Sequence, residues 1–152
     1  EYELDTSKLV ELEITAELMK RVDEVPVAMA LAQAANESAW GTSRFAIEGN
    51  NIFGQWCFEE GCGLVPLQRR RNASHEVRKF KSISESVSSY IKNINTQFSY
   101  EGLRELRAQM RKRNEPLNAI ELAVGLAAYS ERGENYVDEV QNLIIQNGLD
   151  RL

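Results

Sequence analysis

Leu9, Leu12, Leu18, Met19 and Val22 recur near helical spacing, with polar residues between them and Asp5, Thr6 and Ser7 ahead of them as N-caps. An amphipathic first helix is predicted there. Pro26 opens a second helix, PVAMALAQAANESAW, since proline suits a first helical turn. Its alanines and lack of glycine fit a tightly packed central helix, which Gly41 stops. From 41 to 63 the pattern breaks into glycines, the Asn50–Asn51 pair and exposed-looking aromatics, so an irregular stretch is expected. GLVPLQRR and HEVRKFK, separated by Arg71, Asn72, Ala73 and Ser74, read as a β-hairpin, with Pro66 confining the first strand to an edge. Ser82 and Glu85 have capping-box spacing and start a helix through about Asn95. Helices over roughly 99–113, 117–130 and 134–147 follow, punctuated by Asn114, Pro116 and Gly133 and ended by Gly148. The pattern predicts an α+β fold, mostly α, with about six helices and the hairpin as a small separate lobe.

At 152 residues the chain reads as a single domain, 1–152, long enough to bury a substantial core. With 43% hydrophobic and 27% charged residues it has the make-up of a globular protein, and no apolar run reaches a membrane span. The net charge of −5 argues against nucleic acid as the main partner. It is unevenly spread, because Arg69, Arg70, Arg71, Arg78, Lys79 and Lys81 face only Glu76 within residues 68–81. The one histidine, His75, rules out a multi-histidine zinc site. Nothing resembles a phosphate loop or a metal-ligand cluster, so neither metal nor organic cofactor is implied. Cys57 and Cys62, in CFEEGC, are expected to close a small disulfide loop, which implies an oxidising compartment. The chain starts at Glu1 without methionine, so a mature or trimmed fragment of a longer precursor is expected.

Glu37 is the most informative residue for chemistry. It sits near the end of the alanine-rich helix, one turn from Gln33 and three residues before Trp40. The negative end of the helix dipole and desolvation by Trp40 would both raise its pKa, which suits a proton donor. Downstream, Asn50, Asn51, Phe53, Gln55 and Trp56 combine amides for hydroxyl and acetamido groups with aromatic faces for sugar rings. On the residues alone, a surface glutamate beside core aromatics and loop-capping asparagines is an equally open reading.

AQAANESAWGTSRFAIEGNNIFGQW resembles the signature of glycoside hydrolase family 73, the endo-β-N-acetylglucosaminidases of bacterial peptidoglycan. Both an A-x-x-E-S-x-W-G-x-S block and a G-N-N-x-F-G loop are present, and the resemblance runs over about residues 25–149. CFEEGCG, HEVRKF and AYSERG make it similar to the bacterial Bax-type branch. The resemblance implies a lysozyme-like fold, with a helical lobe and a small β-hairpin lobe flanking a substrate groove. It implies a periplasmic or secreted monomer acting on peptidoglycan glycan strands. Cleavage would fall at the β-1,4 bond after N-acetylglucosamine, with Glu37 as general acid. Gln33, Trp40, Asn50, Asn51, Phe53, Gln55 and Trp56 would shape or line the groove.

A second catalytic group is less determined. Glycosidases generally pair two carboxyl groups. The first hairpin strand carries no acid, which departs from the arrangement of many family members. Glu76 on the second strand is the substitute, with Arg78 on the same face expected to keep it ionised, and Glu59 and Glu60 come after it. Tyr129 in AYSERG and Tyr136 in GENYV match a tyrosine implicated in the family's site, and the substrate's own acetamido oxygen is a further route. The competing readings are a lytic transglycosylase and a cell-wall binding module without turnover. The basic window is either a solvated edge or a surface for peptide-stem carboxylates.

Overall fold

The computed structural model describes residues 2–7, 9–69 and 73–152. Arg70, Arg71 and Asn72, and with them the tip of the expected hairpin, lie outside the described residues. The chain divides into two compact units, Gln33–Tyr90 and a second made of Glu1–Ala32 with Ile91–Leu152.

The second unit is helical. Its elements are α1 (Glu11–Arg21), the first part of α2 (Val27–Ser38), the last part of α4 (Ile83–Thr96), α5 (Glu101–Lys112), α6 (Ala119–Ala123) and α7 (Glu134–Gln146). Short 3-10 turns at Phe98–Tyr100, Val124–Leu126 and Leu149–Arg151 complete it. Helix α1 starts later than expected. Asp5 accepts from the Ser7 amide instead of capping the helix, and the Glu13 carboxylate accepts from the Val10 amide at the true start. The helix expected over 117–130 shortens to α6 and a 3-10 turn, with Asn118 accepting from the Ile120 and Glu121 amides as N-cap.

Met29, Ile94, Leu103, Leu122, Leu126, Val140 and Ile144 are fully buried here, each worth roughly 1.5–3 kcal/mol of transfer free energy. Gly125 lets two backbones approach closely: a methyl group there would stand 2.5 Å from the Leu103 Cα. Two buried arginines satisfy helix ends that would otherwise be orphaned. Arg107 donates to the carbonyls of Lys20 and Glu24 at 2.7 and 2.8 Å and to Asn95 Oδ1 at 2.7 Å. Arg104 donates to the Ile94 and Gln97 carbonyls at the end of α4.

The unit Gln33–Tyr90 holds the end of α2, a short α3 (Arg44–Gly49), three strands and the start of α4. Strands β1 (Trp56–Cys57), β2 (Gly63–Leu64) and β3 (Glu76–Arg78) form an antiparallel sheet in the order β1-β3-β2. Trp56 pairs with Val77 and Cys57 with Glu76 on one side of β3, and Gly63 with Arg78 and Leu64 with Val77 on the other. The hairpin expectation is thus met in β2 and β3 but with shorter strands. Leu64 is the last paired residue before Pro66, and a further strand, β1, comes from the stretch expected to be irregular. Helix α3 comes from that stretch too. Ser43 Oγ accepts from the Ala46 amide at its start, and Asn50 at φ +51° ends it.

Candidate active site

Helix α2 ends in a backbone arrangement that glycine usually serves. It stops at Ser38, short of the expected Gly41, and Ala39 and Trp40 both hold left-handed conformations, at φ +50° and +58°. The Trp40 amide donates back to the Ala35 carbonyl at 2.8 Å, and the Gly41 amide donates to Ser38 Oγ at 2.7 Å. Ser38 Oγ in turn donates to the Ala34 carbonyl. Two non-glycine residues in this region store roughly 1–2 kcal/mol each, and such strain concentrates where function over-determines the backbone. Glu37 is the residue these contacts surround in sequence. It is half-buried, in the last turn of α2.

The loop after α3 meets that turn. Gly54, at φ +65°, is so close to Glu37 that a Cβ built on it would stand 3.0 Å from Glu37 Oε2. Next to it, Phe53 is 3% exposed and stacks on Tyr90 with ring centroids 3.9 Å apart and planes 6° from parallel. The Tyr90 hydroxyl donates to Gln33 Oε1 at 2.6 Å, one helical turn before Glu37. Gln33, Phe53, Gly54, Tyr90 and Glu37 therefore form one connected cluster within a single unit. Gly54 and Tyr90 were not singled out by sequence reasoning. Gly54 stood in the G-N-N-x-F-G loop, and Tyr90 opens YIKNIN, a segment within the resemblance whose single residues were not weighed.

The amides of the loop are framework. Asn51 is buried, donates to the carbonyls of Gln55 and Arg78 at 2.9 and 2.8 Å, and accepts from the Gln55 amide. Asn50 donates to the Phe80 carbonyl at 3.0 Å. Gln55 donates to Ser89 Oγ at 3.2 Å, and its buried Oε1 has no partner. The two tryptophans differ from Phe53: Trp40 is 65% and Trp56 52% exposed. Trp56 stacks on His75, with centroids 3.9 Å apart. These two rings, unlike Phe53, are exposed.

Glu76 lies 5% exposed beneath the loop closed by the Cys57–Cys62 disulfide. Oε1 accepts from the Gly61 amide at 3.1 Å and Oε2 from the Gly63 amide at 2.7 Å. Those two hydrogen bonds, aided by the charge of Arg69, hold its carboxyl below the usual range against the opposing effect of burial. The expectation that Arg78 keeps it ionised is corrected. Arg78 is exposed and its guanidinium lies over the Phe80 ring, 5.6 Å from the centroid. Cys57, Cys62 and Glu76 lie close enough to share a metal ion. However, the sulfurs are bonded to each other and the carboxylate oxygens to backbone amides, so the trio is poorly suited to one.

The expected tyrosines lie in the helical unit. Tyr129 sits between Tyr100, 5.9 Å away at 42°, and Tyr136, 5.5 Å away and nearly parallel. Tyr136 is fully buried beneath the Arg132 guanidinium, while Tyr129 is only half-buried.

Comparison with known proteins decides the family. Residues 13–149 match the glucosaminidase family model, described as mannosyl-glycoprotein endo-beta-N-acetylglucosaminidase. The chain belongs to the glucosaminidase family. This glucosaminidase domain is also 38% identical over 119 residues to the protein bax of Escherichia coli K12, a match covering 78% of the chain. The match spans 42% of that relative's length. No solved structure matches the chain significantly.

Proposed function

We propose that this domain hydrolyses peptidoglycan, cutting the β-1,4 bond after N-acetylglucosamine with Glu37 as general acid. The observation that carries this reading is the placement of Glu37. It is half-buried in the last turn of α2, next to a strained backbone and against Gly54. A carboxyl group held this way can deliver its proton to the glycosidic oxygen as the bond to the anomeric carbon breaks. Positive charge then builds on the sugar ring, and water adds to the anomeric carbon. The product keeps N-acetylglucosamine as a new reducing end. Trp40 and Trp56 are the exposed rings available to sugar faces.

For the opposite face of the sugar, Glu76 is the weakest of the expected groups, because each of its oxygens already accepts from a backbone amide and it is almost wholly buried. Tyr136 is buried as well. The substrate's own acetamido oxygen is therefore favoured. The disulfide supports a periplasmic or secreted setting. No helix among the described residues is long and apolar enough to cross a membrane.

The test is a digest of purified peptidoglycan, reduced with borohydride and read by mass spectrometry, beside Glu37→Gln. Reduced N-acetylglucosamine ends that disappear in the variant are expected. Anhydromuramic ends would make the domain a lytic transglycosylase, and no release at all would leave a wall-binding module.

A further inference from the structure

The cations of this chain are not treated alike. In the helical unit Lys20, Arg21, Lys92, Arg107, Arg111, Arg113 and Arg132 each lie within 4.0 Å of a carboxylate. Residues 33–90 carry seven basic and six acidic side chains, whereas the remainder carries eleven and seventeen. Within the smaller unit, Arg78, Lys79 and Lys81 are exposed, and among the described residues none of their side chains pairs with a carboxylate, although the Lys81 amide donates to Glu85 Oε2 at 2.8 Å. They flank the buried Phe80 as a short ridge.

The backbone beneath this ridge is pinned at five points. The amides of Arg78, Lys79 and Phe80 donate to the carbonyls of Gln55, Cys62 and Gly49 at 2.9, 3.2 and 2.8 Å. The carbonyls of Arg78 and Phe80 accept from Asn51 and Asn50 at 2.8 and 3.0 Å. The asparagine pair of the family loop thus fixes the segment that carries the unpaired cations. Exposed aromatic rings belong to the same sheet lobe, with Trp56 on the strand next to β3 and Phe58, 70% exposed, in the disulfide loop. A ridge of cations on a fixed backbone, with no side-chain ion pair to an internal acid, is available to external carboxylates.

We propose that Arg78, Lys79 and Lys81 bind the carboxylates of the peptide stems on peptidoglycan, so that the domain prefers stem-bearing strands to bare glycan. The inference rests on the peptidoglycan reading above. Strands without stems keep only the lactyl carboxylate of each muramic acid, close to the sugar ring, whereas stems add C-terminal and side-chain carboxylates along the peptide. The ridge therefore reads the peptide, and the residues around Glu37 read the sugar.

The test compares wild type with Arg78→Gln/Lys79→Gln/Lys81→Gln on two soluble substrates, namely glycan strands bearing their stems and the same strands stripped by an amidase. Lys79→Gln/Lys81→Gln serves beside it, because it keeps the Arg78–Phe80 contact should the triple variant fold poorly. On stem-bearing strands the variants should raise KM about tenfold for three exposed ion pairs, and several-fold for two. That loss should mirror the effect of raising salt on wild type, while stripped strands, which keep one lactyl carboxylate per muramic acid, are affected far less. Equal losses on both substrates, or none on either, overturn the proposal. So does loss of binding to vesicles containing phosphatidylglycerol with hydrolysis unchanged, which would make the ridge a membrane-facing surface. Should wild type cleave neither substrate, the glycosidase reading falls. Isothermal titration of each protein with the two soluble strands then decides the ridge by itself, with stem-dependent binding expected and indifference to stems overturning it.

Discussion

The backbone of Gly54 lies directly against the carboxyl group of Glu37, leaving a gap that a single methyl group would close to 3.0 Å from Oε2 and 3.9 Å from Cδ. The same glycine holds φ at +65°, a conformation disfavoured for any other residue by roughly 1–2 kcal/mol. Gly54→Ala therefore does two things at once. It strains the loop, lowering Tm by a few degrees. It also displaces the carboxyl by a fraction of an ångström or more, where small misplacements of a reacting group cost up to about 100-fold. A fall in kcat of about 10- to 100-fold is expected, read on stripped glycan strands. Unchanged kcat in a folded variant would show that Glu37 does not need this seat.

Tyr90 supports the same seat from below. Tyr90→Phe keeps the ring stacked on Phe53 but removes the hydroxyl that donates to Gln33 Oε1 at 2.6 Å. Losing a buried hydrogen bond costs about 1–3 kcal/mol. Urea denaturation of Tyr90→Phe, Gln33→Ala and the double variant should show a coupling of about 1 kcal/mol. Additive single effects would mean that the two residues act independently.

The helices were legible because hydrophobic period and capping residues are local, as α4 shows, where Ser82 Oγ accepts from the Glu85 amide as its spacing implied. Glu37 was singled out from its neighbours in the chain, and the fold sets Gly54 of the family loop against it. What the sequence did not reveal depends on contacts made at a distance. Strand β1 is only two residues long and exists because Cys57 and Trp56 pair with β3, some twenty residues away. Helix α2 stops at Ser38 because a serine hydroxyl and the Ala35 carbonyl reward a left-handed turn that alanine and tryptophan do not favour by themselves. Asn50 and Asn51 carried the right chemistry for sugars, but which of their possible partners wins is set by the fold, and backbone carbonyls win.

Glu76 makes stability depend on acid. Its carboxyl titrates below the ordinary value of 4.5, because the Gly61 and Gly63 amides, and then Arg69, favour the charged form. The folded state thus binds this proton less readily than the unfolded chain does. The stabilisation is fully present above the ordinary value and is lost as pH falls through the lower, folded value. Glu76→Gln should lower Tm at neutral pH, with the gap from wild type shrinking below about pH 4.5. A gap constant from pH 7 to pH 3 would assign the loss to packing alone.

Cys57 and Cys62 hold the donors that Glu76 needs. The bridge closes a loop with a sequence separation of 5, and Gly61 lies inside that loop while Gly63 follows it. Chain entropy alone gives about 2 kcal/mol for so short a loop. Reduction should do more than remove that entropy. With the loop free, the two amides no longer converge on one carboxylate, and the shift they cause diminishes. Cys57→Ser/Cys62→Ser is thus expected to lower Tm by roughly 4–8 °C at neutral pH. It should also flatten the acid dependence that Glu76 imparts, so that Glu76→Gln added to it costs less than in wild type. Full additivity at pH 7 would show instead that the loop holds its shape without the bridge, and that β3 alone orders the two glycine amides.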